Sequence, residues 1–193
     1  MEGYQFTHIE VYAAKPSKSK TSESETKRKN GQRAWSAAEI LDENERKELA
    51  SEHVIANRPA PEIIPGAYST FSEFRDAHAK AAAVKESFPY TMNGKTTTRR
   101  RKVRSDSPTM YTCVVSLPVL TANALEDPEL KKRCMHVLRQ AFEFERKRIE
   151  KCGGQLGMAV VHWDEERVHM HILTLDPKRG RVDHLHPGRT AKK

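Results

Sequence analysis

The sequence predicts an α+β fold in which an antiparallel sheet carries helices packed on one face. Apolar and alternating stretches of strand length are separated by segments with recognisable helix starts. Their order is strand, helix, helix, strand, helix and hairpin, without the regular alternation of a doubly wound fold. The length of 193 residues suits a single domain.

The first half of the chain contains one predicted strand and two predicted helices. Residues 3–13 alternate between two faces, as a strand does. A serine-led capping box begins a helix expected over 36–52, and a threonine-led box begins another expected over 70–87. The stretch 53–66 contains three prolines, so an irregular, extended connection is predicted there.

The second half contains three predicted strands and one long helix. Residues 110–118 are continuously apolar enough for a buried strand. Asp127, followed by proline, begins a helix with one apolar stripe, which the glycines at 153–154 end. Residues 156–162 and 168–175 are strands joined by a short turn, which predicts an antiparallel hairpin.

Positive charge dominates the chain and favours a polyanionic partner such as nucleic acid. The formal net charge is +8 and the isoelectric point is near 9.4. Residues 15–33 form a predicted flexible basic loop, and 95–104 form a second basic loop. A merely solvated basic surface is the alternative. The side chains expected to contact DNA phosphates are Lys95, Arg99, Arg100, Arg101, Lys102, Arg104 and Arg189.

Cysteine usage and hydropathy favour a cytoplasmic protein without membrane insertion. The three cysteines show no C-x-x-C spacing, which is typical of reduced thiols. The N-terminus has no apolar signal run, and no apolar stretch approaches membrane length.

The stretch HWDEERVHMH, residues 162–171, predicts a metal site. His169 and His171 share one face of a strand, with Cα atoms roughly 6.5 to 7 Å apart. His162 ends the preceding strand across the turn, and Glu165 can add an oxygen. This donor set suits a divalent ion: Mn²⁺ is favoured, with Mg²⁺, Zn²⁺ and Ni²⁺ as alternatives.

Several metal and hydrolase chemistries lack their motifs in this chain. It has no H-E-x-x-H, no G-x-S-x-G, no Walker A sequence and no P-C-x-x-C. Zincin proteases, α/β-hydrolases, P-loop NTPases and zinc nucleobase deaminases are therefore not indicated.

The metal motif resembles that of a known enzyme class. His169-Met170-His171 matches the HUH pattern of rolling-circle endonucleases. The longer HWDEERVHMH resembles the H-x-D-E-x-x-P-H-x-H motif of plasmid mobilization relaxases of the MobV-like (Mob/Pre) group, with Val168 in place of the usual proline. The order of segments over about 108–190 is also similar. The resemblance implies an HUH relaxase-like fold and assigns His162, Glu165, His169 and His171 to the metal.

The same resemblance implies an activity and partners. Such relaxases nick one strand of single-stranded or hairpin DNA at a plasmid or mobile-element transfer origin, stay joined to its 5′ end, and transfer the strand. Accessory mobilization proteins and a coupling protein are expected partners. On this interpretation residues 1–193 form one relaxase domain, and the basic end without a closing apolar element is typical of the N-terminal part of a longer protein.

The resemblance leaves the nucleophile open. The group commonly has an H-N-x-R motif, and here Asn44-Glu45-Arg46 is preceded by Glu43 instead of histidine. The segment from Glu52 to Pro61, E-H-V followed by two prolines, resembles the histidine segment of related relaxases, so His53 is the candidate. A helix-C-terminal histidine with no catalytic role is the alternative. Rival nucleophiles are Tyr12, Tyr68 and Tyr90.

Other histidines and other functions remain as alternatives. His8 and Glu10 share a strand face and could approach the site, whereas His184 and His186 are expected outside it. Asp164 either orients an imidazole or is a solvated turn residue. A rolling-circle replication initiator or a transposase of the HUH class would use the same chemistry. A non-catalytic nucleic-acid-binding module would hold a structural metal with a closed coordination shell.

Overall fold

A five-stranded antiparallel sheet organises the chain. The computed structural model of the protein describes residues 6–15, 35–50, 54–55 and 57–190. The strands are β1 (Phe6–Ala13), β2 (Glu62–Pro65), β3 (Lys85–Met92), β4 (Lys95–Lys102), β5 (Pro108–Leu120), β6 (Gln155–His162) and β7 (Arg167–Leu175). The α-helices are α1 (Ala37–Asn44), α2 (Phe71–Ala82), α3 (Thr121–Glu126), α4 (Pro128–Lys151) and α5 (Pro187–Thr190). Short 3₁₀ turns lie at Glu48–Ala50 and Asp183–Leu185.

The order of strands in the sheet is β1-β5-β7-β6-β2, and every neighbouring pair is antiparallel. The predicted hairpin is confirmed, because β6 and β7 pair with each other next to the centre of the sheet. Their register sets His162 opposite His169 and Val160 opposite His171. The α+β class with an antiparallel sheet is therefore confirmed.

Helices cover both faces of the sheet, so the prediction of helices on one face is wrong. On one face, α4 packs Leu138, Phe142 and Ile149 into a core with strand residues such as Tyr111 and Ile172. On the other, α1 and α2 pack over Val160, Leu173 and Leu175. The physical reason is that β6 and β7 are apolar on both sides over much of their length, so each face must be covered.

The two N-terminal helices begin where their capping boxes predict but end earlier than expected. Ser36 and Thr70 both accept the hydrogen bonds of complete capping boxes. The first helix ends at Asn44 rather than near residue 52, and Arg46 just beyond it has a left-handed φ of 59°. The second ends at Ala82 because the following residues pair as a strand instead of extending the helix.

The prediction of a basic loop over residues 95–104 is wrong for most of that stretch, because residues 95–102 form strand β4. It pairs with β3 in a two-stranded hairpin that is separate from the main sheet. The turn is Asn93-Gly94, and both residues have positive φ, 50° and 73°. Asn-Gly is a strong hairpin signal, so the sequence contained the information that identifies these strands.

Three smaller features complete the fold. The proline-rich connection contains the short edge strand β2, in which Ile63 pairs with Val160. Helix α3 follows β5 directly and was not predicted. Of the predicted loop over 15–33, Lys15 is described and residues 16–33 lie outside the described residues. No helix in the described part of the chain is long and apolar enough to cross a membrane.

Candidate metal centre

Three histidines meet on the sheet face that also carries α1. Ring centroids are 5.0 Å apart for His162 and His169, 5.1 Å for His162 and His171, and 5.2 Å for His169 and His171. One ring nitrogen from each lies within 4.8 Å of the others. The first two rings are buried, and His171 is partly exposed. The predicted convergence of these imidazoles is thus observed.

Strand register explains the convergence. Because side chains alternate along a strand, His169 and His171 of β7 point to the same face. The pairing of β6 with β7 sets His162 directly opposite His169, which adds the third ring. Val168, which replaces the motif proline, points to the opposite face and is fully buried in the α4 core.

Two carboxylates from the β6–β7 turn flank the rings. Glu165 Oε1 lies 3.5 Å from His169 Nε2, and Asp164 Oδ1 lies 3.5 Å from His162 Nδ1. A second group of three close ligand atoms is formed by His162 with these two carboxylates. Asp164 is only 3% exposed, so it is not a solvated turn residue, and it is placed to orient His162.

Arg46 joins the site from the segment after α1. Its Nε donates to Asp164 Oδ2 at 2.7 Å, and Nη2 donates to Glu165 Oε1 at 2.6 Å. Nη2 also lies 2.6 Å from His162 Nδ1. Asn44 Oδ1 lies 3.3 Å from His162 Nε2, and Glu43 pairs with Arg46 at 3.3 Å.

The contribution of this segment was not predicted, although a signal was present. Glu43-Asn44-Glu45-Arg46 is the stretch that resembles the H-N-x-R motif, with Glu43 where that motif has histidine. Asn44 and Arg46 contact His162, and Glu43 reaches the site by pairing with Arg46. The remaining one, Glu45, pairs instead with Arg75.

Burial and pairing set the protonation states of the site. Burial lowers the pKa of His162 to about 4 and that of His171 well below its ordinary value. Burial opposes ionisation of Asp164 and Glu165, but hydrogen bonds from the histidines and Arg46 hold the pKa of both carboxyls far below the usual range. Around neutral pH, two neutral imidazoles therefore lie beside two carboxylates and the guanidinium of Arg46.

His169 differs from its two neighbours. Burial disfavours its charged form, yet the hydrogen bond and charge of Glu165 outweigh burial and raise the pKa of the ring. Its Nδ1 lies 2.9 Å from the backbone oxygen of Arg167, which fixes the ring and leaves Nε2 facing Glu165. A metal ion bound here would displace the proton from Nε2, so binding would depend on pH.

An open cleft gives access to the cluster. Its lining residues are Phe6, Val114, Ser116, Glu165, Glu166, Arg167, His169 and His171. Three imidazoles and a carboxylate fit a divalent ion, and the cleft beside His169 and His171 leaves a coordination position for a ligand. Binding through His162 would replace its contact with Arg46 or with Asn44. The donor set therefore fits the ion that the sequence predicts.

None of the predicted tyrosine nucleophiles lies beside the cluster. Tyr12 donates to Glu10 and lies six residues along β1 from Phe6, the β1 residue that lines the cleft. Tyr68 donates to Gln155, at the end of β6 opposite to His162. Tyr90 lies on the separate hairpin.

His53 lies outside the described residues. The described residue Ile55 donates its N–H to the backbone oxygen of Asp164 at 2.8 Å, which attaches the segment 54–55 to the turn of the site.

The remaining histidines lie outside the cluster. His8 is paired with Glu10 at 3.2 Å and lies across the sheet from His171, with Val114 between them. His184 is 3.2 Å from Asp176, and His186 accepts from Gly188. Among the described residues, neither His184 nor His186 joins a group of close metal-ligand atoms.

The predicted DNA contacts lie mainly on the hairpin. Every residue of β4 is exposed, including Lys95, Arg100 and Lys102. Arg99 stacks over Tyr90 at 3.7 Å and Arg101 lies over Phe88 at 4.6 Å. Arg104 is paired with Asp106 at 2.6 Å, which partly neutralises it. Arg189 falls in the short helix α5, and its side chain lies outside the described part of the structure.

No family model, curated protein or solved structure matches this chain significantly. The chain is an α+β protein with a three-histidine candidate metal centre beside an open cleft and a separate cationic hairpin.

Proposed function

We propose that the protein is a metal-dependent DNA relaxase of the HUH class, which nicks one DNA strand and transfers it at a mobile-element origin. The observation that carries the proposal is the convergence of His162, His169 and His171 beside an open cleft on an antiparallel sheet. The HUH-like arrangement, with a histidine pair on the central strand β7, is part of the proposal.

The metal would be held by the three histidines, with Glu165 assisting. When bound, such an ion polarises the scissile phosphate and stabilises the charge that develops on it. The chain's own part is to fix the ligands. Asp164 lies beside Nδ1 of His162 and helps to orient the ring. Arg46 fixes the carboxylates of Asp164 and Glu165 through hydrogen bonds of 2.6 to 2.8 Å.

His53 is the proposed nucleophile. The lone pair of one imidazole nitrogen forms the N–P bond, the P–O3′ bond breaks, and the 3′ oxygen leaves as a hydroxyl after taking a proton. The phosphorylated ring loses its own proton, which balances the step. Support comes from Ile55, two residues along the chain, whose N–H is bound to the turn that carries Asp164 and Glu165. The candidate tyrosines lie away from that turn.

The cationic hairpin supports DNA as the substrate. An exposed two-stranded ribbon with basic side chains on both faces can contact phosphates on either side. In a plot of log affinity against log salt concentration, the slope reports the number of phosphates that the protein neutralises. Replacing Arg99, Arg100 and Arg101 by Gln should reduce the magnitude of this slope by roughly 0.7 to 0.9 for each phosphate that these arginines neutralise. Wild-type affinity together with a wild-type salt slope would show that these residues do not face DNA.

The activity can be tested without knowing the origin sequence. The protein is incubated with Mn²⁺ and a pool of single-stranded oligonucleotides that share a randomised region and a label at the 3′ end. We expect label to become covalently attached to the protein and to survive denaturation, because the 5′ end of the cleaved product stays bound. Chelator and the double variant His169→Ala, His171→Ala should abolish the adduct. Absence of any adduct with the wild-type protein, on this pool and on supercoiled plasmid, would contradict the proposal.

The same adduct identifies the nucleophile. A histidine adduct is a phosphoramidate and is lost in acid, whereas a tyrosine ester survives. We expect acid to release the label, and His53→Ala to lose the adduct. An acid-stable adduct on Tyr12, Tyr68 or Tyr90 would replace His53 while leaving the metal site in place.

A non-catalytic nucleic-acid-binding module is the second candidate function. One observation favours it, namely Glu43 in the place of the motif histidine, where it pairs with Arg46. Such a module would bind metal and DNA but would form no adduct in the same experiment.

A further inference from the structure

We propose that Phe6 is a stacking platform for the base that adjoins the scissile phosphate. This inference rests on the proposed function and deepens it, because it assigns a nucleobase subsite to the cleft. Phe6 is the first described residue of β1, and 52% of its surface is exposed. It lines the same cleft as His169 and His171.

The position of Phe6 follows from the strand alternation of β1. Ile9 and Val11 pack into the core under α4, so the residues alternating with them face the histidine side of the sheet. Phe6 pairs with Ser116 of β5, and Ser116 pairs with His169 of β7. Phe6, Ser116, His169 and His162 therefore form one row across four strands.

The spacing along this row suits one nucleotide. Neighbouring strands lie about 4.8 Å apart, so the backbones at Phe6 and His169 are separated by about 10 Å. The short side chain of Ser116 lies between them and leaves space in the cleft above the sheet. A phosphate at the histidines and its own base over the phenyl ring would span this distance.

The charges of the cleft favour this orientation. Glu165, Glu166 and Arg167 line the cleft near the histidines, whereas Phe6 and Ser116, which also line it, carry no charge. A cation bound at the histidines would offset the two carboxylates and attract a phosphate there. The phosphate is thus directed to the histidines and the uncharged base to the aromatic end. A phenyl ring stacks on any base, because every base has a π-face.

The experiment measures base stacking directly. The probe is an oligothymidylate that carries one 2-aminopurine, whose fluorescence is quenched when it stacks. Binding is measured with Mn²⁺ for the wild type, Phe6→Ala, Phe6→Trp and the control Phe144→Ala. Phe144 is 71% exposed on α4, on the opposite side of the sheet, so it matches Phe6 in type and exposure.

We expect Phe6→Ala to weaken binding by about 5- to 150-fold and to lose the quenching, which is the usual range for removing one stacked base. Phe6→Trp should retain both, and Phe144→Ala should behave as wild type. Mn²⁺ stoichiometry, measured alongside, should be unchanged in Phe6→Ala, which separates loss of stacking from loss of the fold. Equal affinity and quenching in Phe6→Ala and wild type would overturn the inference while leaving the relaxase proposal intact. Failure of the wild type to bind the probe would overturn both.

Discussion

Two buried polar clusters lie on opposite faces of the same sheet, and they are built differently. On the α4 face, Tyr111 donates to Glu145 Oε1 at 2.5 Å, and Arg148 donates to both oxygens of Glu145 at 2.6 and 2.9 Å. Arg148 also donates to the hydroxyl of Tyr111 and to the backbone oxygen of Leu185. This Tyr111 network joins β5, α4 and the C-terminal segment, and its side chains satisfy one another.

The histidine cluster is satisfied only in part, because His162 and His169 contact other side chains or the backbone whereas His171 differs from them. Its three rings approach one another without hydrogen bonds between them, and the described part of the chain provides no hydrogen bond to the ring of His171. Buried polar groups are normally paired, because leaving them unpaired is costly. The difference indicates that the Tyr111 network stabilises the fold, whereas the histidine cluster is arranged for something that enters from the cleft.

The largest expected effect on stability lies in the Tyr111 network. Glu145→Ala leaves Arg148 partly buried without its carboxylate, so we expect a loss of about 3 kcal/mol in the free energy of unfolding. Urea denaturation measures it. Glu143→Ala, an exposed position on the same helix, is the matched control and should leave the midpoint almost unchanged. Equal midpoints for the two variants would show that the network does not stabilise the fold.

The histidine cluster should affect stability only through its ligand. At a Mn²⁺ concentration about 100-fold above the dissociation constant, we expect wild-type protein to gain about 2.7 kcal/mol of unfolding free energy. Glu145→Ala should gain the same amount from its lower starting point, and His169→Ala, His171→Ala should gain nothing. A gain in the double variant would place the ion elsewhere and break the distinction between the two clusters.

A lone, partly buried histidine provides a smaller, purely structural contrast. Burial lowers the pKa of His78 to about 4, and its Nε2 lies 2.8 Å from the hydroxyl of Thr109. Between pH 6.5 and 4 the unfolded state binds a proton that the folded state does not, so stability falls as the pH falls through this range. One such group contributes a loss of about 2 kcal/mol at about pH 4.5. His78→Gln should flatten the dependence of unfolding free energy on pH there; an unchanged slope would contradict this assignment.

Sequence patterns predicted the parts of the fold that depend on local signals. Capping boxes at Ser36 and Thr70 indicated the helix starts, and alternation indicated the hairpin that brings the histidines together. Helix ends were predicted less well, because the left-handed φ of Arg46 depends on its contacts with Asp164 and Glu165, which are distant in the sequence. Charge misled the interpretation of β4, whose polar strand has no apolar face to reveal it.

The sequence predicted the candidate metal ligands but not the residues that hold these ligands in place. His162, His169, His171 and Glu165 lie within one short stretch of sequence, so strand geometry alone brings them together. Asn44 and Arg46 reach the same place from a distant segment, and single-sequence reasoning has no means to pair segments that are far apart. Motif resemblance was the available signal for them. Phe6 likewise joins the cleft only through the pairing of β1 with β5.

The most direct test of the account is the metal stoichiometry of the histidine cluster. Equilibrium dialysis against Mn²⁺, followed by metal analysis, should find one ion per chain in the wild type and in Tyr111→Phe, which alters only the network on the other face. It should find none in His169→Ala, His171→Ala, with circular dichroism confirming that this variant remains folded. Unchanged stoichiometry in the folded double variant would contradict the claim that these histidines form a metal centre.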